Sequence, residues 1–287
     1  MAVAGVELGG TKCVCTLASA NGEIIEQRSV PTGAPEETLA AIEAVLAGWA
    51  TGPGFSALGI ASFGPVDLDP ASPHWGFITS SPKPGWQQVD VARRLSAPVG
   101  LTAAFDTDVN GAALAEMRWG AGQGLSDFAY VTVGTGIGVG LIVNGAPTRG
   151  FQHCELGHSR VARIPGDAWP GSCPYHGDCV EGLAAGPALA ARTGTAGAAL
   201  PPDHPAWETV AHALAQLCHI IVCAAAPHRI VIGGGVVSGR PQLLPRIEAL
   251  LRKSLADYLP LPPEPYVTAP GLGDSAGPLG PIALALA

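Results

Sequence analysis

The chain has 287 residues, 47% of them hydrophobic and 13% charged, with 39 glycines and 27 prolines. That length holds one large domain or two medium ones with ample core, and such proportions exclude a disordered chain. A formal net charge of −8, with no run of five or more basic residues, excludes nucleic acid as a main partner, because phosphate neutralisation needs clustered Lys and Arg.

The apolar stretches read as too short, or too broken by glycine, to span a bilayer. The opening MAVAGVELGGTKC has no basic segment leading into an apolar one, so no signal peptide is expected and the expected location is cytoplasmic. There, cysteines are reduced and available as metal ligands.

In chain order, AVAGVEL (2–8) and CVCTLA (13–18) read as strands on either side of a Gly turn. PEETLAAIEAVLAGWA (35–50) sets Leu39, Ile42, Leu46 and Trp49 at helical spacing, with acids in the first turn. ALGIASFG (57–64) predicts a buried strand, PVGLTAAFD (98–106) another, and NGAALAEMRWG (110–120) a helix. DFAYVTVGTGIGVGLIVNG (127–145) is again strand, Gly turn, strand. TVAHALAQLCHIIVCAAA (209–226) is apolar almost all round and predicts a buried helix. RIVIGGGVV (229–237) predicts a strand running into glycines, and PQLLPRIEALLRKSLADYL (241–259) an amphipathic helix. The strand, Gly turn, strand module occurs near 3–22 and near 129–145, which predicts two similar halves facing one another across a cleft. Alternation of strands and helices predicts an α/β fold.

Three stretches carry chemistry. In GVELGGTKC (5–13), Gly9 and Gly10 permit a tight turn with open backbone N–H groups suited to phosphate oxygens, and Thr11 and Lys12 add a hydroxyl and a charge. The alternative is an ordinary Gly hairpin. The second turn, GTGIGVG (134–140), is similar and lacks the dinucleotide fingerprint. In FDTDVNGAALAE (105–116), Asp106 reads as a cap or turn residue. Asp108 reads either as structural or as a carboxylate that accepts a proton from a hydroxyl nucleophile. In CPYHGDC (173–179), Cys173, His176 and Cys179 supply three of the four ligands that tetrahedral zinc requires. The fourth comes from His153, Cys154 or His158 upstream. A Cys173–Cys179 disulfide and three unrelated loop residues are the rival readings. Cys13, Cys15, Cys218 and Cys223 lie in apolar runs and are expected in the core. His212 and His219 read as structural or surface residues.

GVELGGTK, FDTDVNGAALAE, VTVGTGIGVGLIVNG, ELGH, CPYHGDCVEGLAAGPAL and IVIGGGV, in this order, resemble the ROK family of sugar kinases (repressor, open reading frame, kinase). SFGPVD, FDTDVN and CPYHGDCVEG are most similar to its bacterial fructokinase branch. The resemblance implies an actin-like ATPase (ribonuclease-H-like) fold, with two α/β domains around a central cleft. The smaller domain would span 1–109 plus 275–287, and the larger 110–274 with a zinc-binding segment at 153–182. It implies ATP, Mg2+ and a structural Zn2+, a hexose as co-substrate, and a homodimer.

By the same resemblance, Asp108 matches the catalytic base. Glu155, His158, Glu181 and Thr107 match sugar-binding positions, and His158, Cys173, His176 and Cys179 match the zinc ligands. Gly9, Gly10, Thr11 and Lys12 match the first phosphate loop, Thr135 and Gly136 the second, and Gly234 and Gly235 the turn beside adenosine. His158 would then reach zinc through one ring nitrogen and sugar through the other. His176 stands where many members have a cysteine. Thr107 stands where glucose-type members have Asn, which points away from glucose. The implied activity is phosphorylation of D-fructose to fructose 6-phosphate. The alternatives are a mannokinase, a glucokinase or a promiscuous hexose kinase, and, in another class, a non-catalytic sugar-sensing regulator. Such repressors carry an N-terminal helix-turn-helix, for which a strand starting by residue 3 leaves no room.

Overall fold

The structure is a computed structural model that describes residues 2–287. It begins with strands β1 (Ala2–Leu8), β2 (Lys12–Ser19) and β3 (Ile24–Pro31). Neither β1 nor β2 alternates apolar and polar, because both faces are covered: β2 buries every residue from Cys13 to Ala18. Helix α1 (Pro35–Thr51) opens with Pro35, Glu36 and Glu37 and buries Leu39, Ile42, Leu46 and Trp49, as the spacing predicts. Then come β4 (Leu58–Ser62), the short pair β5 (Phe77–Ile78) and β6 (Val89–Asp90), α2 (Ala92–Ser96), β7 (Ala103–Thr107) and α3 (Asp108–Trp119).

The next elements are β8 (Phe128–Val133), β9 (Ile137–Val143), β10 (Ala146–Pro147), α4 (Val180–Ala184) and α5 (Gly186–Thr193). After them lie α6 (Ala206–Ala225), β11 (Ile230–Gly233), α7 (Leu243–Leu255), β12 (Val267–Thr268) and α8 (Ala276–Ala285). The two sheets run β3-β2-β1-β4-β7 and β10-β9-β8-β11-β12. In each, an antiparallel hairpin (β1–β2, β8–β9) is joined to parallel strands (β4 and β7, β11 and β12). The repeat read from the sequence is therefore present as two sheets of one design.

The chain forms two compact units. The first runs to Gln123 and includes Pro147–His153 and Asp274–Ala287; the second comprises Gly124–Ala146 and Cys154–Gly273. Residues 110–123, expected in the second domain, pack within the first unit. The reason is α8, which lies against α3, β1 and β4. A Cβ on Gly59 of β4 would stand 1.8 Å from the Pro281 carbonyl oxygen, and one on Gly111 of α3 would stand 3.1 Å from the Gly280 backbone. Helix and sheet approach at backbone distance, so no side chain fits between them.

Helix α6, at 20 residues, is long and apolar enough by composition to cross a membrane, contrary to the sequence reading. Its Trp207, Val210, Leu214, Leu217, Cys218 and Ile221 are buried in the core of the second unit, beside α7. Cys223, expected in the core, is exposed, whereas Cys13, Cys15 and Cys218 are buried. A helix apolar on all sides still turns only some of its circumference to the core.

Gly59→Ala is expected to lower stability by about 3 kcal/mol, because the added methyl displaces backbone and not a flexible side chain. Gly48→Ala, in α1 with open space around it, is expected to raise stability by about 0.7 kcal/mol through helix propensity. Urea unfolding of both variants measures the difference, and a neutral Gly59→Ala would contradict the packing of α8.

Candidate active site and metal centre

In the first sheet, Leu8 of β1 pairs with Ser62 of β4, and Ser62 with Thr107 of β7. The carboxyl ends of three parallel strands thus lie level, where α/β sheets hold their ligands. The turn from Gly9 to Lys12 leaves this edge. Gly9 N–H donates to the Lys12 carbonyl at 3.1 Å, and Thr32 N–H donates to the Thr11 carbonyl at 3.0 Å. Thr32 Oγ1 donates to the Gly9 carbonyl at 2.8 Å, and Lys83 Nζ donates to the Gly10 carbonyl at 2.8 Å. Gly10, Thr11 and Lys12 are exposed, and a Cβ on Gly10 would meet nothing within 4 Å. The turn is held from its inner side and open on its outer side.

Asp108 is the first residue of α3, directly after β7. Thr107 is the N-cap, its Oγ1 accepting from Asn110 N–H at 3.2 Å. Asp106 is fully buried and is not the cap. Its Oδ1 accepts from Thr107 N–H at 2.7 Å and from Asn110 Nδ2 at 2.8 Å, and its Oδ2 takes the guanidinium of Arg149. Asp106 therefore braces the bend that presents Asp108. Arg149 stands in a small hairpin, bridged to His153. His153 Nε2 accepts from Val66 N–H at 3.0 Å, which occupies it away from any metal.

Asp108 is partly buried, its Oδ1 accepting from Val109 N–H at 2.9 Å. Burial raises its pKa to about 6, against which the bond from Val109 pulls downward. Glu7, at the end of β1, is raised to about 7, first by burial and then by the charge of Asp108, with Lys12 opposing. A Cβ on Gly277 would stand 2.3 Å from Glu7 Oε1, so this carboxylate lies on the first turn of α8.

In the second unit, His158, Cys173, His176 and Cys179 bring four ligand atoms within 4.8 Å of one another. Cys173 Sγ lies 3.7 Å from both His158 Nδ1 and His176 Nδ1, and Cys179 Sγ lies 3.7 Å from His158 Nδ1. Tetrahedral zinc with bonds of about 2.0 Å to nitrogen and 2.3 Å to sulfur requires N–S separations of about 3.6 Å. The donor set and its spacing fit that ion. Two backbone features assemble it. Cys173 and Gly177 exchange both N–H···O bonds at 3.1 and 2.9 Å, in a turn where Gly177 has φ of 64°. Val180 N–H donates to the Ser159 carbonyl at 3.0 Å, which draws His158 beside Cys179. Among the upstream candidates, His158 is therefore the fourth member. Cys173 and Cys179 are free thiols and not a disulfide.

Glu181 Oε2 accepts from Ile137 N–H at 3.0 Å, and a Cβ on Gly136 would stand 2.7 Å from that oxygen. Glu181 Oε1 lies 4.0 Å from His158 Nδ1. Glu155 is exposed, its carbonyl accepting from His158 N–H at 3.0 Å. Thr135 is exposed in the second Gly turn, which Gly186 N–H braces by donating to the Gly134 carbonyl at 2.8 Å. Gly234 sits so close to the end of β8 that a Cβ would stand 2.5 Å from the Val133 carbonyl, and Gly235 next to it is open. Thus the first unit gathers Gly9, Gly10, Thr11, Lys12, Thr107 and Asp108. The second gathers Glu155, His158, Glu181, Thr135, Gly136, Gly234, Gly235 and the Cys/His cluster.

The ROK family model matches residues 3–287. The chain belongs to the ROK family. Relatives include the fructokinase of Pediococcus pentosaceus, 40% identical over 288 residues that cover 100% of this chain and 98% of that one. The fructokinase of Zymomonas mobilis is 42% identical over 294 residues, covering 98% and 95%. A solved ROK family glucokinase from Streptomyces griseus, in complex with glucose and AMPPNP, matches with a TM-score of 0.81 at 27% identity, over 100% of this chain and 99% of that one. The ROK chain here has the actin-like ATPase fold with two α/β domains.

Sequence reasoning missed Glu7, Thr32, Lys83 and Arg149. Only Glu7 left a signal: an acid inside an otherwise apolar strand, just before a Gly-Gly pair. Arg149→Met is expected to cost about 2 kcal/mol, because it strands a buried carboxylate. Arg160→Met, which removes an ion pair in which Arg160 is 70% exposed, should cost under about 1 kcal/mol. Denaturant unfolding compares the two; equal losses would deny Asp106 its dependence on Arg149.

Proposed function

We propose that this ROK protein transfers the γ-phosphoryl group of ATP, accompanied by magnesium, to D-fructose, giving fructose 6-phosphate. The observation that carries the reading is whole-chain identity of 40% and 42% to two fructokinases, combined with Asp108 at the mouth of β7 level with an open Gly-Gly turn. Asp108 is the general base that takes the proton of the attacking hydroxyl. Gly9, Gly10, Thr11 and Lys12 hold phosphate oxygens, as do Thr135 and Gly136, and Gly234 and Gly235 lie beside the adenosine. Phosphoryl transfer depends on positioning and charge neutralisation, so Gly turns and a base suffice without a covalent nucleophile.

Glu155, His158, Glu181 and Thr107 bind the sugar. His158, Cys173, His176 and Cys179 hold a structural zinc ion; bound there, it would fix the tautomer and aim of the His158 ring. With Nδ1 turned to the two sulfurs, Nε2 is the nitrogen that faces sugar. Two thiolates and two imidazoles leave zinc no open position, so the ion supplies order and not a reacting water. We read the protein as a cytoplasmic homodimer.

A hexose panel tests the activity: fructose should give the highest kcat/KM with ATP, and preference for glucose or mannose would refute the substrate. Asp108→Asn should lower kcat by about 10² to 10⁴ without lowering the melting temperature. The wild-type kcat/KM should fall as pH drops through about 6, because Asp108 must lose its proton and is raised to that value, beside a Glu7 raised to about 7. The same raised values oppose stability: the folded state holds these protons more tightly than the unfolded chain. Stability therefore declines as pH rises from the ordinary carboxylate range towards 7, and Asp108→Asn should remove some of that decline. A flat pH–rate profile between about 5 and 8 would exclude Asp108 as base. Metal analysis of protein purified without added metal should find about one zinc per chain, and Cys179→Ser should lose it and loosen 153–182 to proteolysis.

A further inference from the structure

Lys83 lies outside every motif, yet it ends on the phosphate turn. It stands in Ser81-Pro82-Lys83-Pro84-Gly85-Trp86, a loop fixed at several points. Trp86 is fully buried and its Nε1 donates to the Gly33 carbonyl at 3.0 Å. Ser81 is buried, and Lys83 N–H donates to its Oγ at 3.2 Å. Gln87 Nε2 donates to the Ser81 and Lys83 carbonyls at 2.6 and 3.2 Å. The prolines on either side of Lys83 lock their own φ angles. A flexible cation is thus mounted on a rigid base and aimed at one atom, the Gly10 carbonyl, 2.8 Å from its Nζ.

That single bond does not account for the arrangement. An exposed turn carbonyl is satisfied equally well by water, so the bond contributes little to stability. It also brings a second ammonium to a turn that already carries Lys12. Two like charges at one open turn repel, and an anion between them removes the cost. We infer that Lys83 is a second phosphate-contacting cation, which leaves the Gly10 carbonyl for the γ-phosphoryl oxygens of ATP and follows them through transfer. This rests on the reading of Gly9–Lys12 as the phosphate turn of a kinase. In the step, a lone pair of the sugar hydroxyl oxygen forms the new O–P bond. The bond from phosphorus to the β–γ bridging oxygen breaks, its electron pair leaves on ADP, and the hydroxyl proton passes to Asp108. Lys83 gives and takes no proton; it neutralises charge on the phosphoryl oxygens.

Lys83→Met keeps the apolar stem and removes the charge; Lys83→Arg keeps the charge. Relative to wild type, Lys83→Met should lower kcat by about 10²-fold with KM for fructose changed less than about threefold and melting temperature unchanged. Lys83→Arg should recover most of the lost kcat. Calorimetric titration should show ATP binding weakened about tenfold in Lys83→Met and AMP binding unchanged. Wild-type kcat in Lys83→Met, or equal losses of ATP and AMP affinity, would overturn the inference. If wild-type protein fails to phosphorylate fructose, the proposed function falls, and the ATP-versus-AMP difference still decides the role of Lys83.

Discussion

The first unit depends on one close approach: the backbone of α8 lying directly on the glycines of β4 and α3. Gly59 and Gly111 have no side chain to hold the helix off, so the last turns of the chain settle into the first sheet. Two consequences reach the candidate site. The N-terminal turn of α8 brings Gly277 under the Glu7 carboxylate. Helix α3 packs at backbone distance on α8 and against β4 of the first sheet, and its first residue is Asp108. Both carboxylates raised towards neutral pH thus stand on elements that α8 packs against. Their raised values are a cost in stability that a purely structural acid in this position would not need.

A buried charge plays the corresponding role two residues before Asp108. Asp106 is sealed from water and has its oxygens taken by Thr107 N–H, Asn110 Nδ2 and Arg149. Such a carboxylate is tolerable only when its acceptor sites are filled. Filling them fixes the bend between β7 and α3, and the direction in which Asp108 leaves it. The Thr107 hydroxyl is engaged as helix cap, which limits how it can also serve a sugar.

In the second unit, close backbone approach recurs around the Cys/His cluster. Gly171 and Gly182 crowd one carbonyl, with a Cβ on Gly182 falling 1.9 Å and one on Gly171 falling 2.1 Å from the Gly177 oxygen. Asp178, between His176 and Cys179 of the cluster, is held by Arg160 at 2.9 Å and Arg163 at 3.1 Å. Arg163 also meets Asp167, to which Arg192 is bound by two bonds of 3.1 and 2.8 Å. Charge pairs therefore brace the segment that carries the cluster. Glu181, two residues beyond Cys179, ties the segment to the second Gly turn through Ile137 N–H.

The repeated hairpin modules, the helices rich in evenly spaced Leu and Ile, and the three chemical stretches at GGTK, DTD and CPYHGDC are all legible in the amino-acid order. Each is a local signal: a period of 3.6, a Gly pair between apolar runs, or ligand residues three apart. Which of His153, Cys154 and His158 joins the cysteines is settled only in the folded chain, where one backbone bond from Val180 to Ser159 makes the choice. Folding also places Pro281 inside a helix, against its propensity, because packing on three neighbours outweighs one lost hydrogen bond. The positions of Glu7, Lys83, Asp106 and Arg149 are of the same kind. Asp106 and Arg149 are 43 residues apart, and Gly10 and Lys83 are 73 apart, and no short-range pattern encodes such a meeting.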